Sequence, residues 1–167
     1  MLGGEIARKL IGLGFPVRGW SRSSKRIAGV ETFHGDGDLK DFLARSRVVV
    51  NVLPLTPQTE GILNARTFAL VPRGAYVVNI GRGAHLVEDD LLAALESGQL
   101  GGAMLDVFRR EPLPYEHPFW RHPKIVVTPH VAGVTIPSEA EAQVIENVRR
   151  LERGDPPLGL VDLARGY

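Results

Sequence analysis

Three short segments present an arginine, a glutamate and a histidine in fixed order: Asn79-Ile80-Gly81-Arg82-Gly83, Asp106-Val107-Phe108-Arg109-Arg110-Glu111-Pro112-Leu113 and Thr128-Pro129-His130. Each follows an apolar, strand-like run. In an α/β sheet, the loops leaving the carboxyl ends of strands converge on one crevice, where ligands bind. One cation, one carboxylate and one imidazole are therefore expected to meet there. A guanidinium is a permanent planar fork that matches a carboxylate, and an imidazole titrates near neutral pH and suits proton transfer. A carboxylate beside such a ring stabilises its positive charge. Taken singly, each residue also has a plain reading: Arg82 as a turn residue with a solvated side chain, Glu111 as the end of a loop at its junction with Pro112, His130 as a satisfied histidine at a strand end.

The elements that must position these groups follow from periodicity. Ile6, Ala7, Leu10 and Ile11 recur at helical spacing between Gly3-Gly4 and Gly12-Leu13-Gly14, which predicts a helix from almost the first residue. Residues 15–20 read as a strand, a glycine-rich loop over 35–37 precedes a short helix carrying Leu39, Phe42 and Leu43, and residues 48–53 form an apolar run typical of a buried parallel strand stopped by Pro54. Further strands are expected over 75–79, 102–106 and 125–128, with a helix from Glu88 to Ser97 that Gly98 stops. A last helix runs from Ser138 to Arg153, with Ala140, Val144, Val148 and Leu151 on one face. Such alternation signals an α/β protein with a doubly wound parallel sheet.

Length and charge narrow the function classes. A chain of 167 residues supports one domain of respectable core. Twenty Lys and Arg against 19 Asp and Glu leave a net charge of +1 without a long basic run, which argues against nucleic acid as a partner. Without cysteine, no disulfide framework, thiolate nucleophile or thiolate metal site can form, and no metal site is expected. No signal-peptide core or bilayer-length apolar run is present, so no membrane association is expected and the chain reads as soluble and cytoplasmic.

Several segments resemble one family in order and spacing: Leu53-Pro54-Leu55-Thr56, Val78-Asn79-Ile80-Gly81-Arg82-Gly83, Asp89-Asp90-Leu91-Leu92-Ala93-Ala94-Leu95 and Ala103-Met104-Leu105-Asp106-Val107-Phe108. They are similar to the D-isomer-specific 2-hydroxyacid dehydrogenases, whose cofactor domain has a Rossmann-like fold. Glu111-Pro112-Leu113-Pro114, Pro129-His130-Val131-Ala132 and the ending Val161-Asp162-Leu163-Ala164-Arg165-Gly166-Tyr167 look most like the bacterial glyoxylate and hydroxypyruvate reductase branch. The resemblance implies reduction of a small 2-oxo acid by a hydride to the keto carbon and a proton to the oxygen. By the same resemblance, His130 is the proton donor, Glu111 orients its ring, Arg82 grips the substrate carboxylate, and Trp120 helps line the substrate pocket.

Cofactor choice is read from the loop after the strand that ends near Trp20. Folds that select NAD place an Asp or Glu there for the ribose hydroxyls. This chain has Ser21-Arg22-Ser23-Ser24-Lys25. A hydroxyl and two cations suit the extra phosphate of NADP, so NADPH is the expected cofactor and NAD the second option; a solvated basic loop is the plain alternative. The resemblance also places Gly3, Leu53, Pro54, Thr56, Ile80, Gly81 and Asp106, with Arg82 and His130, beside the cofactor. A homodimer through the cofactor domain is the assembly it implies.

The chain departs from the family at its start. Gly3 matches the third glycine of the Gly-x-Gly-x-x-Gly fingerprint, and Met1 and Leu2 stand where the two variable residues would be. The expected fold is therefore a truncated Rossmann-like sheet without its first strand or the N-terminal substrate domain. Residues 1–135 form a partial NAD(P)-binding domain, and residues 136–167 form a helix and tail that would pack back on the substrate domain. In the 3-2-1-4-5-6 strand order, the strands holding Val17 and Val50 must pair across a vacant slot or leave it open. The favoured account is the C-terminal part of a reductase, inactive in isolation, arising from a misassigned start, a frameshift or a truncated gene. A non-catalytic nucleotide-binding or dimerisation module, and an enzyme completed by a second chain, are the alternatives.

Overall fold

The computed structural model describes residues 2–161; Met1 and the ending at residues 162–167, on which part of the family resemblance rests, lie outside the described residues. Helix α1 (Leu2–Gly12) leads to strand β1 (Arg18–Ser21), which pairs in parallel with β2 (Glu31–His34). Helix α2 (Gly35–Ala44) packs on both strands, and the Trp20 indole donates to the Gly35 carbonyl at 2.8 Å. A second parallel sheet contains β3 (Val48–Asn51), β4 (Ala75–Asn79), β5 (Leu100–Leu105) and β6 (Ile125–Val127), side by side in that order. Helices α3 (Ala65–Leu70) and α4 (Glu88–Glu96) connect them, and α5 (Pro137–Glu152) follows.

The registers put the strand ends in a row. Asn51 lies opposite Asn79, Asn79 opposite Leu105, and Leu105 opposite Val127. The four following loops therefore leave from one edge, which is what gathers distant residues into a site. Beneath them, Phe68, Val77, Leu86, Leu91, Leu95, Leu100, Leu105 and Phe119 are each at most 2% exposed and form the core between the sheet and α3 and α4. Each such side chain contributes about 1.5–3 kcal/mol by leaving water.

Several expectations change. The glycine-rich stretch at 35–37 is the first turn of α2, with Asp36 and Asp38 near its positive end. The short strand β2 and helix α3 were not expected. Three of the four β2 residues are exposed, so it has no apolar run to mark it; α3 has only six residues and is set by a capping box between Asn64 and Thr67. The run over 48–53 is strand only to Asn51, and it is buried on one side alone. Val48 at 56%, Tyr76 at 52% and Val126 at 59% exposure show the second face of this sheet open. Strands β1 and β3 belong to separate sheets, and among the described residues no strand joins the two. Helix α5 buries none of its residues.

One close approach fixes two of the loops against each other. A Cβ on Gly83 would collide with the backbone carbonyl of Phe108 and with the Arg109 nitrogen. The loop after β4 can lie on the loop after β5 only because residue 83 has no side chain. Gly83→Ala is expected to lower unfolding stability by about 3 kcal/mol, the upper range for forced overpacking, with a matching drop in the urea midpoint. An unchanged midpoint would contradict this packing.

Candidate active site

Glu111 and His130 meet directly. The His130 Nδ1 lies 2.8 Å from Glu111 Oε2, while Glu111 Oε1 accepts the Phe108 backbone N–H at 2.9 Å. Both carboxylate oxygens are thus committed, one to its own loop and one to the ring. The side chains are 48% and 37% exposed, so a ligand from solvent can reach the pair. The Phe108 N–H, the bond to His130 and then the charges of His130 and Arg82 hold the Glu111 carboxyl below its ordinary range, against opposing burial. Arg82 is therefore close enough for its charge to act on the pair. Its side chain is exposed, with Nη1 donating to the Gly81 carbonyl at 2.7 Å.

His130 has φ of 57°, the left-handed region that a residue with a Cβ enters only when its surroundings insist. Asp106 supplies that insistence. Its Oδ1 accepts from the Thr128 hydroxyl at 2.6 Å and from Val131 N–H at 2.9 Å, and its Oδ2 accepts from Ala132 N–H at 2.9 Å. These three bonds bracket His130 in sequence and clamp its turn onto the end of β5. Burial alone would raise the Asp106 carboxyl, but the bonds from Thr128, Ala132 and Val131, with the His130 charge, hold it below its ordinary value. Asp106 is 1% exposed, so its side chain belongs to the floor of the site.

A second buried network supports Arg82. Asn51, Asn79 and His85 are at most 4% exposed. Asn51 Nδ2 donates to Asn79 Oδ1 at 2.9 Å and lies 2.9 Å from His85 Nδ1, and Asn79 Nδ2 donates to the Arg82 carbonyl at 3.1 Å. The sequence reading missed Asn51 and His85. The signal for Asn51 was a lone amide closing an all-valine run; His85, between Ala84 and Leu86, carried none.

The other expected positions spread around this edge. Leu53 and Pro54 are partly buried in the loop after β3; Thr56 is buried, its backbone N–H donating to Thr59 Oγ1 at 2.8 Å. Ile80 and Gly81 lie in the turn before Arg82. Gly3 lies in α1, where an added Cβ would stand 3.1 Å from Val52 Cγ2, a close helix approach at the end of β3. Ser21 ends β1 and donates to the Ser23 carbonyl, and Arg22 and Lys25 are exposed just beyond it. Trp120 is half-exposed, its indole donating to the Pro114 carbonyl, and shares a shallow depression with Tyr115 and Arg121. Among the described residues no group of three or more His, Asp or Glu could hold a metal ion, and no helix is long and apolar enough to cross a membrane.

Both lowered carboxyls make the site acid-sensitive. A carboxyl whose folded value lies below its unfolded one stabilises the fold above the unfolded value, about 4, and loses that contribution as pH falls through the folded value. Urea midpoints are expected to hold down to about pH 4.5 for these two groups and then fall, with Asp106→Asn and Glu111→Gln removing part of the slope. A double variant as acid-sensitive as the unaltered chain would contradict the geometry.

The model of the D-isomer specific 2-hydroxyacid dehydrogenase NAD binding domain matches residues 1–132. The chain is 53% identical over all 167 residues to a glyoxylate/hydroxypyruvate reductase A of Serratia proteamaculans, of which it covers 53%. It thus spans about half the length of the curated relatives it matches. Its fold superposes with a TM-score of 0.96 and 49% identity on a D-isomer specific 2-hydroxyacid dehydrogenase from Xanthobacter autotrophicus, solved with NADPH and MES, covering 99% of this chain and 69% of that one. An NADPH-dependent glyoxylate/hydroxypyruvate reductase from Sinorhizobium meliloti, solved with NADP and sulfate, matches at TM-score 0.95 and 46% identity, over 99% of this chain and 54% of that one.

Proposed function

We propose, from the premise that this chain belongs to the D-isomer specific 2-hydroxyacid dehydrogenase family through its NAD binding domain, that it supplies the cofactor-binding and proton-transfer portion of an NADPH-dependent reductase. Its substrates are small 2-oxo acids such as glyoxylate and hydroxypyruvate, reduced to 2-hydroxy acids. The observation that carries the reading is the Glu111–His130 pair at 2.8 Å, beside Arg82 and at the mouth of the sheet.

The residues at the end of β1 fit NADP. A hydroxyl and two cations follow the strand where an acidic residue would disfavour a phosphate. Gly3, Leu53, Pro54, Thr56, Ile80 and Gly81 would border the nucleotide. When bound, the cofactor supplies the hydride. Arg82 holds the carboxylate of the acid and draws charge toward its keto oxygen. Glu111 occupies Nδ1 of the His130 ring, which leaves Nε2 as the atom that gives the oxygen its proton. The exposed ring then regains a proton from solvent.

The remaining assignments rest on the same reading. The exposed stripe of α5, with Val144, Ile145, Val148 and Leu151, is the surface we assign to the substrate domain, which makes residues 1–135 the cofactor domain. The setting is cytoplasmic, and assembly is a homodimer through the cofactor domain. The unpaired edges of β1 and β3 and the open face over Tyr76 favour a second reading, a nucleotide-binding or dimerisation module without turnover.

Cofactor titrations test the assignment. NADPH should raise the melting temperature more than NADH, and Arg22→Ala should weaken NADPH binding about tenfold, the worth of one charge-assisted contact, while leaving NADH unchanged. Equal responses to both nucleotides would defeat the Arg22 argument. NADPH binding without oxidation by glyoxylate, even when the chain is mixed with the N-terminal portion of the Serratia proteamaculans reductase, would favour the module.

A further inference from the structure

The ring of His85 touches the two loops that the proposed reaction needs at a fixed separation. His85 ends a 3-10 turn (Gly83–His85) and is fully buried. Its Nδ1 accepts the Arg82 backbone N–H at 3.1 Å, and its Nε2 lies 3.3 Å from the Pro54 carbonyl. A backbone N–H can only donate and a carbonyl can only accept, so the ring is neutral with its proton on Nε2. Asn51 agrees with this: its Oδ1 accepts the Leu53 N–H at 3.2 Å, which turns its NH2 toward Nδ1. The ring also fills the space under the Arg82 turn, because a Cβ on Gly81 would stand 3.1 Å from Nδ1.

We infer that His85 is a positioning residue whose neutral ring sets the spacing between the Arg82 turn, which grips the acid, and the residue 53–56 loop, which borders the nucleotide. This rests on the function proposed above. The direct partners of the ring are the Arg82 and Pro54 backbones and the Asn51 amide. The charged group acting on it is Arg82, and burial together with that cation favours the neutral form. A proton on Nδ1 would face the Arg82 N–H and force the turn open.

Two conservative variants separate the two ties. His85→Asn keeps an acceptor near the Nδ1 position and loses the donor to Pro54; His85→Gln keeps a donor near Nε2 and loses the acceptor for Arg82. One hydrogen bond corresponds to about a tenfold change. With NADPH, and then oxamate at saturating NADPH, His85→Asn should weaken NADPH about tenfold and oxamate little, and His85→Gln should do the reverse. Equal weakening of both ligands by both variants, or no change, would overturn the inference. If the unaltered chain binds neither ligand, the functional reading fails, and exchange of the Arg82 amide decides the positioning role: protection should fall about tenfold in His85→Gln and persist in His85→Asn. Unchanged protection in His85→Gln would overturn it. Should either variant fail to fold, nitrogen NMR of the unaltered chain decides: Nε2 protonated and Nδ1 bare at the ordinary histidine value, about pH 6.5, is expected, and a ring half-titrated there would overturn the inference.

Discussion

Asp106→Ala is expected to lower unfolding stability by about 3 kcal/mol and to release the turn that carries His130. The magnitude follows from stranding three donors, the Thr128 hydroxyl and the Val131 and Ala132 amides, each costing about 1–3 kcal/mol when buried and less where water can replace the lost partner. Ala132 and Val131 lie at an exposed turn, which places the sum near the low end. The turn holds His130 at φ of 57°, a conformation that itself costs about 1–3 kcal/mol unless enforced. Urea unfolding should report the stability loss, and amide exchange at residues 131 and 132 should accelerate. The family resemblance places Asp106 beside the nicotinamide, which makes a different forecast: weaker NADPH binding at unchanged stability. A full-strength urea midpoint with unaltered exchange would favour that role over the clamp.

His130→Gln is expected to slow NADPH oxidation by glyoxylate about 10²–10⁴-fold, the range for removing a positioned general acid. Glutamine retains a polar group facing Glu111 but cannot give up a proton at neutral pH. The residue is exposed, so its loss should leave the unfolding free energy from urea titration within about 0.5 kcal/mol of the original. The slot between β1 and β3 makes the choice of sample matter. The rate should be followed on the chain alone and on the chain mixed with the N-terminal portion of the Serratia proteamaculans reductase. Turnover that survives the substitution in either sample would remove His130 from the chemistry.

The parts of the site visible in the sequence are those set by local order. Arg82, Glu111 and His130 each follow an apolar run, and parallel registry levels those runs, so their convergence could be read in one dimension. The supports were hidden because they bind across loops. Asn51 reaches His85 over 34 positions and Asp106 reaches Ala132 over 26, and no periodicity records such pairs. Strand β2 escaped notice because an exposed edge needs no apolar face, and α3 because six residues give too little period. The open face over Val48, Tyr76 and Val126 was masked for the opposite reason: their types are those of a buried strand, and sequence cannot say what covers them.

The account stands or falls on Arg82, Glu111 and His130 acting on one bound acid beside the nucleotide. Nitrogen and proton NMR of the labelled chain, first with NADPH and then with added oxamate, reads this directly, since oxamate presents the carboxylate and carbonyl of a 2-oxo acid without being reduced. The account predicts that NADPH shifts the signals of residues 21–25 and 53–56, and that oxamate then shifts the Arg82 guanidinium and the His130 ring together. Oxamate shifts that leave Arg82 and His130 unmoved at saturating NADPH would contradict it.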